Sequence, residues 1–140
     1  MLNFYDTLRM LNRLATATYQ PLLKKIGESI VRSIKTKTSV GLDVNNRKFR
    51  EYVMPYRKMK VKKGLYPPVN LSLSGQMMGD LTYATKPREV SIGFSTAKSS
   101  VLASYNQDKN GREFIGISQE IEKEIDTAIN DYINQLFKGL

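Results

Sequence analysis

Leu81-Thr82-Tyr83-Ala84-Thr85 and Val90-Ser91-Ile92-Gly93-Phe94 flank the connecting residues Lys86-Pro87-Arg88-Glu89. Each run alternates apolar with small polar residues, a period of two that turns one face toward a core and the other toward water. Two such runs around a loop of about four residues read as an antiparallel hairpin. The rest of the chain reads mostly as helix. The fold class is therefore α+β: a small mixed, mainly antiparallel β-sheet packed by N-terminal and C-terminal α-helices.

Downstream of the hairpin, Ser99 to Asn106 reads as a short helix through Val101, Leu102 and Tyr105. The polar run Asn106-Gln107-Asp108-Lys109-Asn110-Gly111 ends it. Phe114-Ile115-Gly116-Ile117 reads as one more strand. Residues 118–138 form the best-defined element. Ser118 is a natural N-cap, Glu120 and Glu122 sit in the first turn where the helix dipole favours negative charge, and Lys138 lies at the far end. Ile121, Ile125, Ala128, Tyr132, Ile133, Leu136 and Phe137 make its apolar stripe, which leaves Glu120, Glu122, Glu124, Asp126 and Asp131 as a solvated face.

Upstream, residues 3–36 read as helical. Leu8, Leu11, Ala15, Leu22, Ile26, Ile30 and Ile34 recur at helical steps and predict one stripe against the core. Pro21 interrupts the pattern, because it lacks an amide donor and clashes with the preceding turn. The spacing therefore predicts a break near Tyr19 and Gln20 and a second helix from about Pro21. Gly41 ends that helix, and a short extended piece follows around Leu42 to Val44.

Between helix and sheet lies a strongly basic stretch. Val44 to Tyr66 carries Arg47, Lys48, Arg50, Arg57, Lys58, Lys60, Lys62 and Lys63 against the single acid Glu51, and so holds most of the chain's formal net charge of +9. Phe49, Tyr52, Tyr56 and Met59 interleave with the charges. Pro55, Gly64, Pro67 and Pro68 make the region read as short helical turns in a long, exposed connection rather than a core element. Clustered Lys and Arg release counterions from a nucleic-acid backbone, and tyrosines stack on bases. The same surface also complements an acidic protein partner, such as the last helix of a neighbouring copy, where Glu113 to Leu140 holds six acids against Lys123 and Lys138. A plain solvated loop is the third reading.

At 140 residues with 41% hydrophobic content, the chain fits one domain over 1–140: helical region 3–36, basic connection 44–68, sheet region 69–117 and C-terminal helix 118–138. No apolar run approaches the roughly 20 residues that span a bilayer, and the first thirty or so residues hold no cleavable apolar block, so neither membrane nor signal peptide is expected. The absence of cysteine and histidine removes disulfides, thiolate nucleophiles, the commonest general base and the commonest transition-metal ligand. Ser95-Thr96-Ala97-Lys98 matches the Ser-x-x-Lys pattern of acyl enzymes but lacks the companion motifs, and reads as a surface turn after a strand. Asn70-Leu71-Ser72 fits a glycosylation sequon without a secretory context. No phosphate-binding glycine loop is present. The expectation is a chain that is not an enzyme and needs no cofactor or metal.

Three segments in order resemble the phage virion morphogenesis family, the small tail-completion and neck proteins of Mu-like and related tailed phages and prophages. Lys48 to Gly64, KFREYVMPYRKMKVKKG, looks like that family's Phe-x-x-Tyr, second Tyr and Lys-rich run. Asn70 to Leu81, NLSLSGQMMGDL, is similar to its Asn-Leu-x-x-Thr/Ser-Gly-x-Met block. Arg112 to Ser118, REFIGIS, looks like the Arg-x-Phe-x-Gly block that leads into a C-terminal helix. The chain departs from the pattern at Val44-Asn45-Asn46-Arg47, which lacks a Gly often found in this turn, and at Ser74, where Thr is common. The resemblance implies a non-enzymatic homo-oligomer, a ring often of six copies, located in the virion at the tail end or neck. Its partners would be tail-tube and neck or connector proteins, with non-specific contact to passing DNA. It also implies structural roles for Phe49, Tyr52, Tyr56, Asn70, Leu71, Gly75, Met78, Arg112, Phe114 and Gly116, with Gly75 and Gly116 at tight turns or close backbone approaches.

Overall fold

Pro21 breaks the N-terminal helical region as its chemistry demands. The computed structural model, which describes residues 3–49, 54–63 and 75–138 with the side chains of Met54, Pro55, Arg57 and Val61 set aside, has α1 over Phe4–Thr16 and α2 over Gln20–Ser39. Pro21 sits in the first turn of α2, where no amide donor is needed. Asn3 caps α1 by accepting from the Asp6 amide at 2.9 Å. Gly41, at φ 81, provides the left-handed turn after α2.

The hairpin comprises β1, Leu81–Lys86, and β2, Glu89–Phe94, paired antiparallel with Leu81 opposite Phe94 and Lys86 opposite Glu89. Lys86 and Glu89 thus belong to the ladder, and only Pro87-Arg88 forms the turn. Leu81, Tyr83 and Thr85 share a face with Val90, Ile92 and Phe94, and this face packs on α2. At the turn end Gln20 clasps the hairpin: its Nε2 donates to the Lys86 carbonyl at 3.0 Å and its Oε1 accepts from Thr85 Oγ1 at 2.7 Å.

The C-terminal helix α6, Gln119–Leu136, covers the other side of α2. Ser118 caps it, accepting from the Ile121 amide at 3.2 Å. Ile26, Ile30 and Ile34 of α2 meet Ile121 and Ala128 of α6, while Leu81, Met77, Ala103, Phe49 and Phe114 complete the core. Helices therefore flank a two-stranded antiparallel sheet in an α+β fold. The remaining helices are α3, Met54–Lys62; α4, Gln76–Gly79; and α5, Ala97–Ser104, which runs into a π-helical turn over Tyr105–Lys109.

Three further expectations are corrected. Phe114 to Ile117 is not a strand. The side chain of Gln107 replaces a neighbouring strand there: its Oε1 accepts from the Phe114 and Ile115 amides at 3.0 and 3.2 Å, and its Nε2 donates to the Ile115 carbonyl at 3.3 Å. A backbone satisfied by a side chain has no need of a ladder. The apolar stripe of residues 3–36 does not pack throughout: Leu8, Leu11 and Ala15 are exposed, and only its continuation in α2 reaches the core. Arg13 ties α1 down instead, its Nη1 donating to the carbonyls of Leu136 and Lys138 at 2.7 and 2.9 Å at the end of α6. The basic connection, finally, is not wholly exposed, since Phe49 lies in the core and Lys60 of α3 is only 3% exposed.

Candidate assembly surface

The segment leading from α2 to the basic region is fixed before any cation is presented. Asp43 Oδ1 accepts from the amides of Asn45 and Arg47 at 2.8 and 2.9 Å, folding residues 43–47 into a tight turn. Asn46 takes the left-handed conformation at φ 62 and so fills the role of the absent glycine. Glu120 clamps this turn to the start of α6. Its carboxylate accepts from Asn46 Nδ2 at 3.1 Å and pairs with Lys37 Nζ at 3.7 Å, while Lys37 also donates to the Val44 carbonyl at 3.2 Å. Glu120 is exposed like the other acids of α6, and it also joins three segments.

Beyond the turn, Leu42 and Lys48 form an isolated antiparallel bridge that turns Phe49 into the core. The Val44 amide donates to the Glu113 carbonyl at 3.0 Å, so residues 42–49 run beside 113–116. Phe114 is 1% exposed in the same core. Arg112 is buried and donates from Nη1 to Asn106 Oδ1 at 2.9 Å. Tyr56 of α3 stands near it: burial pushes the phenol pKa up, and the Arg112 charge draws it partly back. Lys60 lies one helical turn from Tyr56, and burial lowers its pKa. The i, i+4 spacing of Tyr56 and Lys60 is the sequence signal that could have marked Lys60 as inward-facing.

The eight cations of the basic stretch therefore divide. Arg47, Lys48, Lys58, Lys62 and Lys63 are exposed, Lys60 is buried, and Arg50 and the side chain of Arg57 lie outside the described residues. Of the positions named by resemblance, Phe49 and Phe114 share the core, Arg112 is buried, and Tyr56 lies close enough to Arg112 to feel its charge. Met78 packs against the core, next to buried Met77 and Leu81. Gly75 is left-handed at φ 79. A β-carbon on Gly116 would meet the Val44 methyls at 3.4 Å, an ordinary contact, so this glycine is not forced by close approach. Tyr52, Asn70 and Leu71 lie outside the described residues.

The other candidate motifs resolve into scaffolding. Ser95 and Thr96 form the turn between β2 and α5, where Thr96 Oγ1 accepts from the Ser99 amide at 3.2 Å as the N-cap. Asp80 secures that cap: its Oδ2 accepts from Thr96 Oγ1 at 2.7 Å and from Ser99 Oγ at 2.6 Å. The hydrogen bond from Ser99, then that from Thr96, holds the Asp80 carboxyl below its ordinary pKa. Lys98 is exposed. Glu122, Glu124, Asp126 and Asp131 are exposed along α6, and no group of acids among the described residues is arranged to hold a metal ion. No described helix is long and apolar enough to cross a membrane. Compared with known proteins, the chain matches no family model, no curated protein and no solved structure.

Proposed function

We propose that this chain is a structural assembly protein of a tailed phage or prophage, a tail-completion or head–tail joining component that works as a ring at the end of the tail tube. It acts by association, not turnover, in contact with tail-tube and neck or connector proteins. The observation that carries the reading is the ordered set of three motif segments. Residues from two of them, Phe49 and Phe114, lie far apart in sequence yet share one core, and Tyr56 of the first feels the charge of Arg112 of the third. Lys58, Lys62 and Lys63, on α3 and at its end, are exposed cations that would form the contact surface. Electron microscopy and light scattering of the purified protein, alone and with tail tubes, test the proposal. Rings capping tube ends are the expected result, and a protein that binds neither tubes nor neck components would refute it.

A second reading, a small basic DNA- or RNA-binding protein, is favoured by the same exposed cations. It requires binding whose log affinity falls steeply with log salt, with a slope that flattens as phosphate contacts are removed.

A further inference from the structure

Asn110 is the asparagine of this chain that precedes a glycine, and its surroundings set it apart from the others. The side chains of Asn3, Asn46 and Asn106 are held by hydrogen bonds, to the Asp6 amide, to Glu120, and to the Leu102 carbonyl and Arg112. Asn12, Asn130 and Asn134 lie inside helices, where the following amide belongs to the ladder. The amide after Asn45, that of Asn46, donates to the Asp43 carbonyl at 3.1 Å. Asn110 is half-buried, Gly111 is exposed, and the Asn110 side chain has no hydrogen bond among the described residues.

The peptide that joins Asn110 to Gly111 is held only from outside. On one side the Asn110 amide donates to the Tyr105 carbonyl at 3.1 Å and closes the π-helical turn; on the other the Arg112 amide donates to the Asn106 carbonyl at 3.0 Å. Between these anchors, neither the Asn110 carbonyl nor the Gly111 amide has a hydrogen-bond partner among the described residues. Gly111 takes φ 61, and a β-carbon placed on it would meet nothing within 4 Å. Rotating ψ of Asn110 and φ of Gly111 in opposite senses turns this one peptide plane and leaves both anchors in place. The rotation breaks no hydrogen bond, and it carries Gly111 through positive φ values that glycine crosses because it lacks a β-carbon. At the resting ψ of −4 the Gly111 nitrogen eclipses the nitrogen of Asn110. After the rotation it eclipses the Asn110 β-carbon instead, within reach of Cγ.

We propose that Asn110-Gly111 is a site of covalent modification, where the folded chain converts Asn110 to aspartate and isoaspartate through a cyclic imide. The Gly111 nitrogen, its proton removed by solvent hydroxide, forms a bond to Asn110 Cγ. The bond from Cγ to Nδ2 breaks, and the leaving nitrogen takes a proton from water and departs as ammonia. Water then opens the imide: addition at Cγ gives aspartate, and addition at the main-chain carbonyl gives isoaspartate. One water is consumed and one ammonia released, with no oxidant or reductant. Isoaspartate lengthens the main chain by one carbon just before buried Arg112, in the segment that Gln107 ties down at Phe114 and Ile115. The product therefore loosens residues 112–115. None of this depends on the assembly function proposed above.

Ageing the full chain at mildly alkaline pH, folded and unfolded in guanidinium chloride, tests the site. Peptide mapping by mass spectrometry locates each conversion, and an isoaspartyl methyltransferase labels the isoaspartate. The folded chain is expected to convert Asn110 faster than any other asparagine. Its rate should fall within about tenfold of the unfolded rate, a factor corresponding to about 1.4 kcal/mol for turning one unbonded peptide. Asn110→Gln, with folding checked by circular dichroism, should lose the label, and the isoaspartate form of the wild type should melt below the fresh protein. A folded rate further below the unfolded one, conversion no faster than at the helical asparagines, or a label that persists in Asn110→Gln would each overturn the proposal. An isoaspartate form that melts with the fresh protein would overturn its effect on residues 112–115.

Discussion

The ring of Tyr83 lies directly over the α-carbon of Gly27, so closely that a β-carbon added to Gly27 would come within 2.6 Å of Tyr83 Cγ. This is where the hairpin seats on α2, and Tyr83 Oη reinforces it by donating to Glu28 Oε1 at 3.3 Å. Gly27→Ala is expected to destabilise the fold by about 1–3 kcal/mol through overpacking, although alanine is the better helix former. In a Tyr83→Ala background the same substitution becomes neutral or stabilising by roughly 0.5–1 kcal/mol, since only the helical preference remains. Urea titration of the four proteins measures this coupling. An unchanged midpoint for Gly27→Ala alone would show that the hairpin does not seat here.

Gln107 is expected to matter more than its place in a polar run suggests. Gln107→Ala leaves the Ile115 amide without its acceptor and the Phe114 amide with only the Arg112 carbonyl, beside a fully buried phenylalanine, at a cost of about 1–3 kcal/mol. Gln107→Glu keeps the acceptor and loses only the donated bond to the Ile115 carbonyl, so its cost is smaller. Equal losses for the two variants would argue against the bridging role.

Asp80 gives stability an acid dependence. Its folded pKa is depressed, chiefly by the Ser99 hydrogen bond and then by that from Thr96. Its contribution is therefore complete above the unfolded value of about 3.9 and is lost as pH falls through the lower folded value. Asp80→Asn should lower stability at neutral pH and make the acid limb shallower than in wild type. Parallel acid limbs for the two proteins would contradict this.

The basic surface is best tested without Lys60. Lys58→Ala/Lys62→Ala/Lys63→Ala alters only exposed side chains and is expected to change stability by no more than about 0.5 kcal/mol per site. Association with tail tubes should weaken and lose part of its salt dependence. If the triple variant binds tubes as wild type does but loses nucleic-acid affinity, the nucleic-acid reading takes precedence.

Asn46→Ala removes a residue that tolerates the left-handed conformation and breaks its bond to Glu120, so a loss on the order of 1–2 kcal/mol is expected. Asn46→Gly keeps the backbone geometry and should cost less. Thermal melts compare the two, and an alanine variant as stable as the glycine variant would remove the conformational argument.

The sequence by itself determined the features whose causes are local. Pro21 broke the first helical region, Ser118 and the acids after it started α6, Gly41 ended α2, and alternation fixed both strands of the hairpin. Each depends on a cap, a turn or a period within a few residues. The basic stretch was legible as a surface in the same way, because charge is visible without a fold, but the burial of Phe49 was not: it follows from a core shared with segments far along the chain. Only the tertiary structure decided that Gln107 would stand in for a strand partner of Phe114, that Tyr83 would close on Gly27, and that α1 would leave Phe4, Tyr5, Leu8 and Leu11 in water. Periodicity says that a helix has an apolar face. Whether that face is covered depends on how much complementary surface the rest of the chain brings to it, and here α2 had already been covered by the hairpin and α6.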